Sequence, residues 1–317
     1  MSKPNIIAVI NQKGGVGKTT TVVNLASSYA SLGNKVLVID TDSQANATIG
    51  LGMEELINSK KNLNYALKNK LTLESVVAET NIPNLDIVAS HPELDDTEES
   101  IVNSTKRDVW LEKFLSSEKT KEYQIIILDM HPSLKGFFIG CMKAAHYYLI
   151  PLFPEKYSSA GLKKQIKAAE EIREDLNPML VALGALIVRY KPNREGHRAF
   201  KTLIEKIAQV SNFNVIRTSI PFSETVADAE AECLPLNIYT RSKGQPVAHA
   251  YTALAAEIAP KLKGKRIGRK MNPIKYEEIG DGPDPDFANV DEQCETKRKI
   301  TKKKPKRIRK RSAEANL

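Results

Sequence analysis

The sequence has little cysteine and no long apolar run. Its 317 residues include three cysteines, Cys141, Cys233 and Cys294, and no CxxC pair. This pattern argues against a disulfide framework or a cysteine metal site, and it fits a reducing cytosol. No stretch approaches the roughly 18 apolar residues of a membrane helix. The opening MSKPNIIAVINQ has too short an apolar run for a signal peptide and predicts a strand instead.

An excess of charge of one sign is also absent from most of the chain. Residues 1–260 contain 29 basic and 29 acidic side chains, whereas residues 261–317 contain 18 and 9, so the net charge of +9 comes from this last stretch. The stretch has an acidic part rich in proline and glycine, then a cationic part, and no apolar period. We therefore expect a folded domain over residues 1–263 and a disordered tail over residues 264–317.

The tail contains a dense polybasic segment, because 11 of the 15 residues from Lys297 to Arg311 are basic. A flexible cationic arm of this kind binds the phosphate backbone of DNA with little sequence preference. The segment has no aromatic residue for base stacking, and a purely solubilising role is the alternative. The candidate DNA-binding residues are Lys297, Arg298, Lys299, Lys302, Lys303, Lys304, Lys306, Arg307, Arg309, Lys310 and Arg311.

The first 263 residues alternate apolar runs with helical patterns. The runs NIIAVIN, KVLVID, YQIIILDM, YYLIPLF, LGALIVRY and FNVIRTSIP lack the polar alternation of a half-exposed strand, so we expect strands that are buried on both faces. Amphipathic stretches such as SAGLKKQIKAAEEIREDL and HRAFKTLIEKIAQVS separate them. This order predicts a doubly wound α/β domain, with a mostly parallel sheet and helices on both faces.

A glycine-rich turn follows the first predicted strand and precedes a predicted helix. Its sequence GGVGKT ends in the GK[ST] signature of a phosphate-binding loop, in which backbone N–H groups and the helix N-terminus surround phosphate oxygens. In such loops the lysine reaches the β and γ phosphates and the hydroxyl binds Mg²⁺. The predicted nucleotide-binding residues are Gly14, Gly15, Val16, Gly17, Lys18 and Thr19.

Three aspartates end predicted strands near this loop. Asp129 ends IIILD, and Asp40 and Asp42 end VLVIDTD. The carboxyl ends of strands are where α/β sheets place their ligand chemistry, so we expect these carboxylates near a bound magnesium ion. The alternative is that they only terminate strands.

Six motifs in order carry a resemblance to a known family. KGGVGKTT, VLVIDTDSQANAT, NLDIVASHPEL, YQIIILDMHPSL, LIPLFPEKYSSAGL and SKGQPVAHAYTALAAEI are similar to segments of the ParA/MinD family of deviant Walker ATPases. The similarity extends from about Asn5 to Leu262. It implies an ATP-hydrolysing enzyme that uses Mg²⁺.

The resemblance also implies roles for single residues. Lys13 corresponds to the signature lysine, which crosses a dimer interface and contacts the partner's nucleotide. Asp42 corresponds to the acid that positions the attacking water, and Asp129 to the Walker B acid. Thr20 is expected to add a phosphate contact, and the adenine to lie near Pro221. In this family the acid at the position of Asp40 lies close to magnesium.

Several positions depart from the family pattern. Ser43 replaces a frequent proline, and His131 replaces another in the segment beside the γ phosphate. The arginines that often follow the Ile-Pro pair at Ile220 are absent, and the acidic FSETVADAEAE stands there instead. Because those arginines help relatives bind DNA, we expect the polybasic tail to supply much of the DNA affinity.

The function that this resemblance implies is that of a ParA-type partition ATPase without an N-terminal operator-binding domain. It implies an ATP-dependent homodimer, non-specific DNA binding, release by a ParB-like partner, and a cytoplasmic, nucleoid-associated location. One alternative is a relative that positions a protein cargo, such as a chemoreceptor cluster or a microcompartment. Another is a MinD-like switch at the membrane, although the tail offers only Ile300 and Ile308 for insertion, so no stable membrane insertion is expected.

Overall fold

A seven-stranded sheet lies at the centre of the protein. The structure, a computed structural model, describes residues 3–103, 107–133, 136–155, 158–240 and 245–262. The strand order is β3-β4-β2-β5-β1-β6-β7, and every pairing is parallel except that of β3 with β4. The strands are β1 (Asn5–Val9), β2 (Val36–Asp40), β3 (Ala78–Glu79), β4 (Leu85–Val88), β5 (Ile125–Asp129), β6 (Tyr147–Leu152) and β7 (Val181–Ile187).

Helices accompany the sheet along the described ranges. They are α1 (Lys18–Ser31), α2 (Asn46–Gly50), α3 (Leu63–Lys68), α4 (Leu94–Val102), α5 (Trp110–Phe114), α6 (Phe137–Ala144), α7 (Ser158–Asp175), α8 (Glu195–Val210), α9 (Thr225–Ala231), α10 (Leu236–Tyr239) and α11 (Pro246–Ile258). Alternate residues of β1 enter two separate cores, with Ile7 and Val9 in one and Ile6 and Ala8 in the other. A sheet buried on both faces is the predicted doubly wound fold, which is thereby confirmed.

The predicted strand over residues 213–221 is not continuous. Only isolated parallel bridges pair it with the β7 side of the sheet, at Val215 and Pro221. Between them, the backbone N–H of Thr218 donates to one carboxylate oxygen of Glu257 at 2.9 Å, and the preceding N–H donates to the other at 2.8 Å. The ladder breaks because a carboxylate on α11 takes the hydrogen bonds that a neighbouring strand would otherwise receive.

Two sequence predictions lie outside the described residues. The domain boundary at residues 263/264 and the whole polybasic segment are beyond residue 262, the last one described. Within the described ranges, no helix has both the length and the hydropathy that crossing a bilayer requires.

Candidate nucleotide-binding site

The glycine-rich loop lies between the carboxyl end of β1 and the start of α1. Gly17 is the N-cap residue of α1 and has a φ of 79°. Side chains rarely adopt this left-handed conformation, so glycine lets the chain turn directly into the helix. The N-terminus of α1 therefore opens toward the space in front of the loop, as anion binding requires.

A cleft of about 840 Å³ adjoins this loop. One side is formed by the loop and the first turn of α1, and another by Ile220, Pro221, Phe222 and α9. The described residues that line it include Gly14, Gly15, Gly17, Lys18, Thr19, Thr20, Asp42, His131 and Pro221. Most of the predicted nucleotide residues are thus brought together around one cleft, while Val16 is buried beneath the loop.

Lys18 is buried at the base of the cleft. Its Nζ lies 3.4 Å from the backbone oxygen of Lys13. Burial lowers the pKa of Lys18, whereas the nearby carboxylates of Asp129 and Asp42 raise it. A lysine held between a loop and two acids is placed to receive the charge of a polyphosphate.

Thr19 and Asp129 form the second part of the predicted site. The Thr19 hydroxyl donates to Asp129 Oδ2 at 2.8 Å, but buried Asp129 Oδ1 has no hydrogen-bond partner among the described residues. Burial raises the pKa of Asp129, as does the charge of Asp40, while the Thr19 hydrogen bond lowers it. A buried carboxylate oxygen without a partner is costly unless a cation or an ordered water completes it.

Asp40 lies beside Asp129 in the sheet register but faces away from the cleft lining. Its Oδ2 accepts hydrogen bonds from the backbone N–H and the hydroxyl of Thr48, at 2.9 and 2.7 Å, and its Oδ1 accepts one from the N–H of Asp42 at 3.2 Å. Burial raises its pKa to about 7. Both oxygens thus anchor the polypeptide, and direct contact with a metal stays a prediction.

Asp42 lines the cleft, and its loop is fixed from two sides. The Ser90 hydroxyl donates to the backbone oxygen of Asp42 at 2.6 Å. The next residue, Ser43, donates from its hydroxyl to Asp95 on α4 at 3.0 Å. The serine that replaces the family's frequent proline therefore supplies a tether for the loop that holds Asp42.

Lys13 lies at the front of the loop, and the cleft lining in the described chain does not include it. Its backbone N–H donates to Asn11 Oδ1 at 2.9 Å, while its half-exposed side chain forms an ion pair with Glu155, the last described residue before α7. An exposed lysine whose charge is paired away from its own cleft remains free to contact a second molecule.

His131 lines the cleft beside the start of the segment that leads to α6. Its Nδ1 accepts a hydrogen bond from the N–H of Ser133 at 3.3 Å. Glu98 on α4 accepts the N–H of Phe137 at 2.8 Å and so caps the start of α6. Since Asp95 and Glu98 lie one turn apart, α4 supports both segments that flank the cleft.

A row of polar contacts along α1, which we call the α1 seam, was missed by sequence reasoning. Thr20, Asn24, Ser27 and Ser31 recur at helical spacing and all bond to the segment 230–237 or its neighbours. Asn24 Oδ1 accepts the N–H of Leu236 at 2.7 Å, and Ser27 donates to Asn237 Oδ1 at 2.7 Å. The remaining contacts are Asn237 to Ser31 at 2.7 Å and Thr20 to Glu230 at 2.6 Å. The polar spacing in TTTVVNLASSYAS was the available signal.

Comparisons with known proteins agree with this geometry. The sporulation initiation inhibitor protein Soj of Bacillus subtilis is 32% identical over 255 residues, which cover 80% of this chain and 98% of Soj. The chromosome partitioning protein ParA of Myxococcus xanthus is 31% identical, with 83% and 92% covered. A solved structure of a candidate plasmid partition protein from Borrelia burgdorferi B31, bound to AMPPNP, has a TM-score of 0.66 and 26% identity, with 82% and 100% covered.

A parallel sheet with a glycine loop between β1 and α1, and with strand-end carboxylates beside it, defines a P-loop nucleoside triphosphatase. Residues 4–182 match the family described as an AAA domain. The chain belongs to the ParA/MinD family of deviant Walker ATPases.

Proposed function

We propose that the protein is a ParA-type partition ATPase that works through a nucleotide-dependent dimer. The names of the relatives support partition as the task, because they include chromosome partitioning proteins from two bacteria. The cleft beside the glycine loop supports ATP as the ligand. The surface position of Lys13 supports dimerisation and carries the proposal.

The described residues fit the binding of ATP with Mg²⁺. Gly14, Gly15 and Gly17 present backbone groups to the phosphates, and Lys18 neutralises their charge. Thr19 and the unpaired Oδ1 of Asp129 would hold the metal. Among the residues described, no cluster of three or more His, Cys, Asp or Glu side chains could bind a metal alone. This suits Mg²⁺, which commonly uses one or two protein oxygens with water and phosphate. Bound Mg²⁺ neutralises developing charge on the phosphates.

Asp42 is the residue that we assign to the attacking water. It borders the cleft on the strand next to β5, and its loop is held by Ser90 and by the Ser43–Asp95 contact. A carboxylate fixed in this way orients a water without a large reorganisation, which is the main contribution proteins make to phosphoryl transfer. Pro221 lies on another side of the same cleft and would contact the base.

Lys13 would link nucleotide binding to dimerisation. In the single chain its charge is satisfied by Glu155. An exposed ion pair of this kind is weak, so that a polyphosphate held by a partner subunit can compete for the lysine. A cation that reaches a nucleotide only when two subunits close makes nucleotide binding and dimer formation favour one another.

DNA binding by the polybasic segment, release by a ParB-like partner and a nucleoid-associated, cytoplasmic location complete the proposal. The charge count supports the first point, because residues 1–260 are neutral and the excess cations follow them. Phosphate contacts from such a segment would bind DNA without reading its sequence.

The test is the Lys13→Ala variant with a slowly hydrolysed ATP analogue. We expect nucleotide affinity to remain within about threefold, since the residues of the cleft are unchanged, but dimer formation to fall by at least about tenfold because a charge-assisted contact is lost. Size-exclusion chromatography with light scattering measures the dimer. Lys163→Ala, at an exposed lysine of α7, is the matched control. A normal dimer in Lys13→Ala would refute the proposed role.

A further inference from the structure

The contact between Thr20 and Glu230 differs from the rest of the α1 seam. Asn24 and Ser27 are buried, with 5% and 0% exposure, and they hold neutral partners. The Thr20 hydroxyl instead donates to a carboxylate oxygen of Glu230 at 2.6 Å, in an exposed position where both residues line the nucleotide cleft. The buried contacts fix the segment 230–237 to α1, so that the Glu230 side chain can move alone.

The position of this carboxylate resembles that of a phosphate. Thr20 is the third residue of α1, so Glu230 Oε1 lies against the first turn of the helix. The positive end of a helix dipole and a hydroxyl donor both favour an anion there. A nucleotide phosphate that takes the Thr20 hydroxyl would have to displace a group of the same chemistry.

The charges around the cleft strengthen this competition. Glu224 and Asp228 line the same side as Glu230, and Asp42 lines another side. Repulsion between a carboxylate and a bound polyphosphate a few ångströms away lowers affinity, and the partly shielded cleft preserves much of this effect. Glu230 is distinguished from the other acids by its hydrogen bond to the phosphate-loop helix.

We propose that Glu230 is a self-inhibitory anion that occupies a phosphate position in the nucleotide-free protein. It satisfies Thr20 and the start of α1 when the cleft holds no nucleotide, and nucleotide binding expels it. This contact sets the affinity for nucleotide below the value that the loop alone would give. The inference rests on the proposed binding of ATP in this cleft.

The experiment compares the full-length protein with its Glu230→Gln variant. Isothermal titration calorimetry with ATP and Mg²⁺, and separately with ADP, should show a Kd lower by about five- to tenfold for both ligands, because one repelling charge is removed. Without nucleotide, the Tm of the variant should fall by about 1–3 °C, since the helix start loses its anion. Opposite effects on affinity and stability are the signature of a displaced contact.

Two further variants separate this mechanism from general electrostatics. Glu224→Gln removes a charge that lines the same cleft, and its Kd should change by less than about twofold because no expulsion is involved. The gain from Glu230→Gln should also shrink when Thr20→Val removes the competed hydroxyl.

Each contrary result has a distinct meaning. Weaker binding by Glu230→Gln would make Glu230 a nucleotide ligand, and unchanged binding would make the contact incidental. An equal gain from Glu224→Gln would leave only a general field. All three overturn the inference, whereas failure of the unaltered protein to bind ATP would refute the proposed function instead.

Discussion

Two groups of buried polar side chains lie at opposite ends of the same sheet. At the amino end, Asp86 accepts hydrogen bonds from the Tyr123 hydroxyl and from Lys35 Nζ, both at 2.7 Å, so that each carboxylate oxygen has a donor. At the carboxyl end, Asp129 has one donor, Thr19, and one oxygen without a partner in the described chain. Both aspartates are at most 2% exposed.

The difference separates a structural cluster from a functional one. Asp86 is complete within the protein, and burial together with the hydrogen bond to Asp86 raises the pKa of Tyr123. Asp129 and Asp40 are adjacent acids without a direct cationic partner, and burial raises the pKa of both. A site that awaits a cation stores unfavourable electrostatics, which binding relieves.

The largest effect that would sharpen this comparison is expected from Asp129→Asn. The variant keeps an acceptor for Thr19 but loses the charge that a metal needs, so ATPase activity should fall by at least about 100-fold. Nucleotide-free stability should rise by about 1 kcal/mol because a buried, repelled carboxylate is removed. Urea unfolding and phosphate release measure the two. A loss of stability would contradict the stored-cost account.

Asp86→Asn should give the reverse result. The substitution leaves Lys35 without its anion and removes a charged acceptor from Tyr123, so the free energy of unfolding should fall by about 2–3 kcal/mol. ATPase activity per folded molecule should stay unchanged, since this cluster lies at the far end of the sheet. Urea unfolding with activity assays well below the midpoint tests this. A selective loss of activity would erase the distinction between the two clusters.

The smallest effect concerns Glu257, which is also fully partnered. Burial alone would raise its pKa, but hydrogen bonds from the backbone at residues 217 and 218 and from the Thr218 hydroxyl lower it overall. A lowered folded pKa contributes stability above about pH 4.5, and this contribution disappears as the pH falls through the folded value. Glu257→Gln should therefore cost about 1 kcal/mol at pH 7 and much less near pH 3. A difference that is independent of pH would contradict this assignment.

The sequence predicted the parts of the site that depend on short segments. The glycine loop, Lys18, Thr19 and the strand-end Asp129 follow from local patterns, and so do most strands. Glu230 was not predicted, because its partner Thr20 is 210 positions away and its own segment is only an acidic stretch. The broken ladder at residues 213–221 was missed for the same reason, since the carboxylate that breaks it belongs to a distant helix.

Gly184 on β7 has a φ of 138°, and a Cβ placed there would lie 2.7 Å from the backbone oxygen of Asn214. Asn214 leads into the segment that ends at Pro221, on the base side of the cleft. Any side chain at this position would push that segment outward and widen the cleft. Gly184 should therefore tolerate as little change during evolution as a residue that touches ATP. A survey that ranks positions by mutational tolerance would place it within the active site, although the structure places it in the supporting sheet.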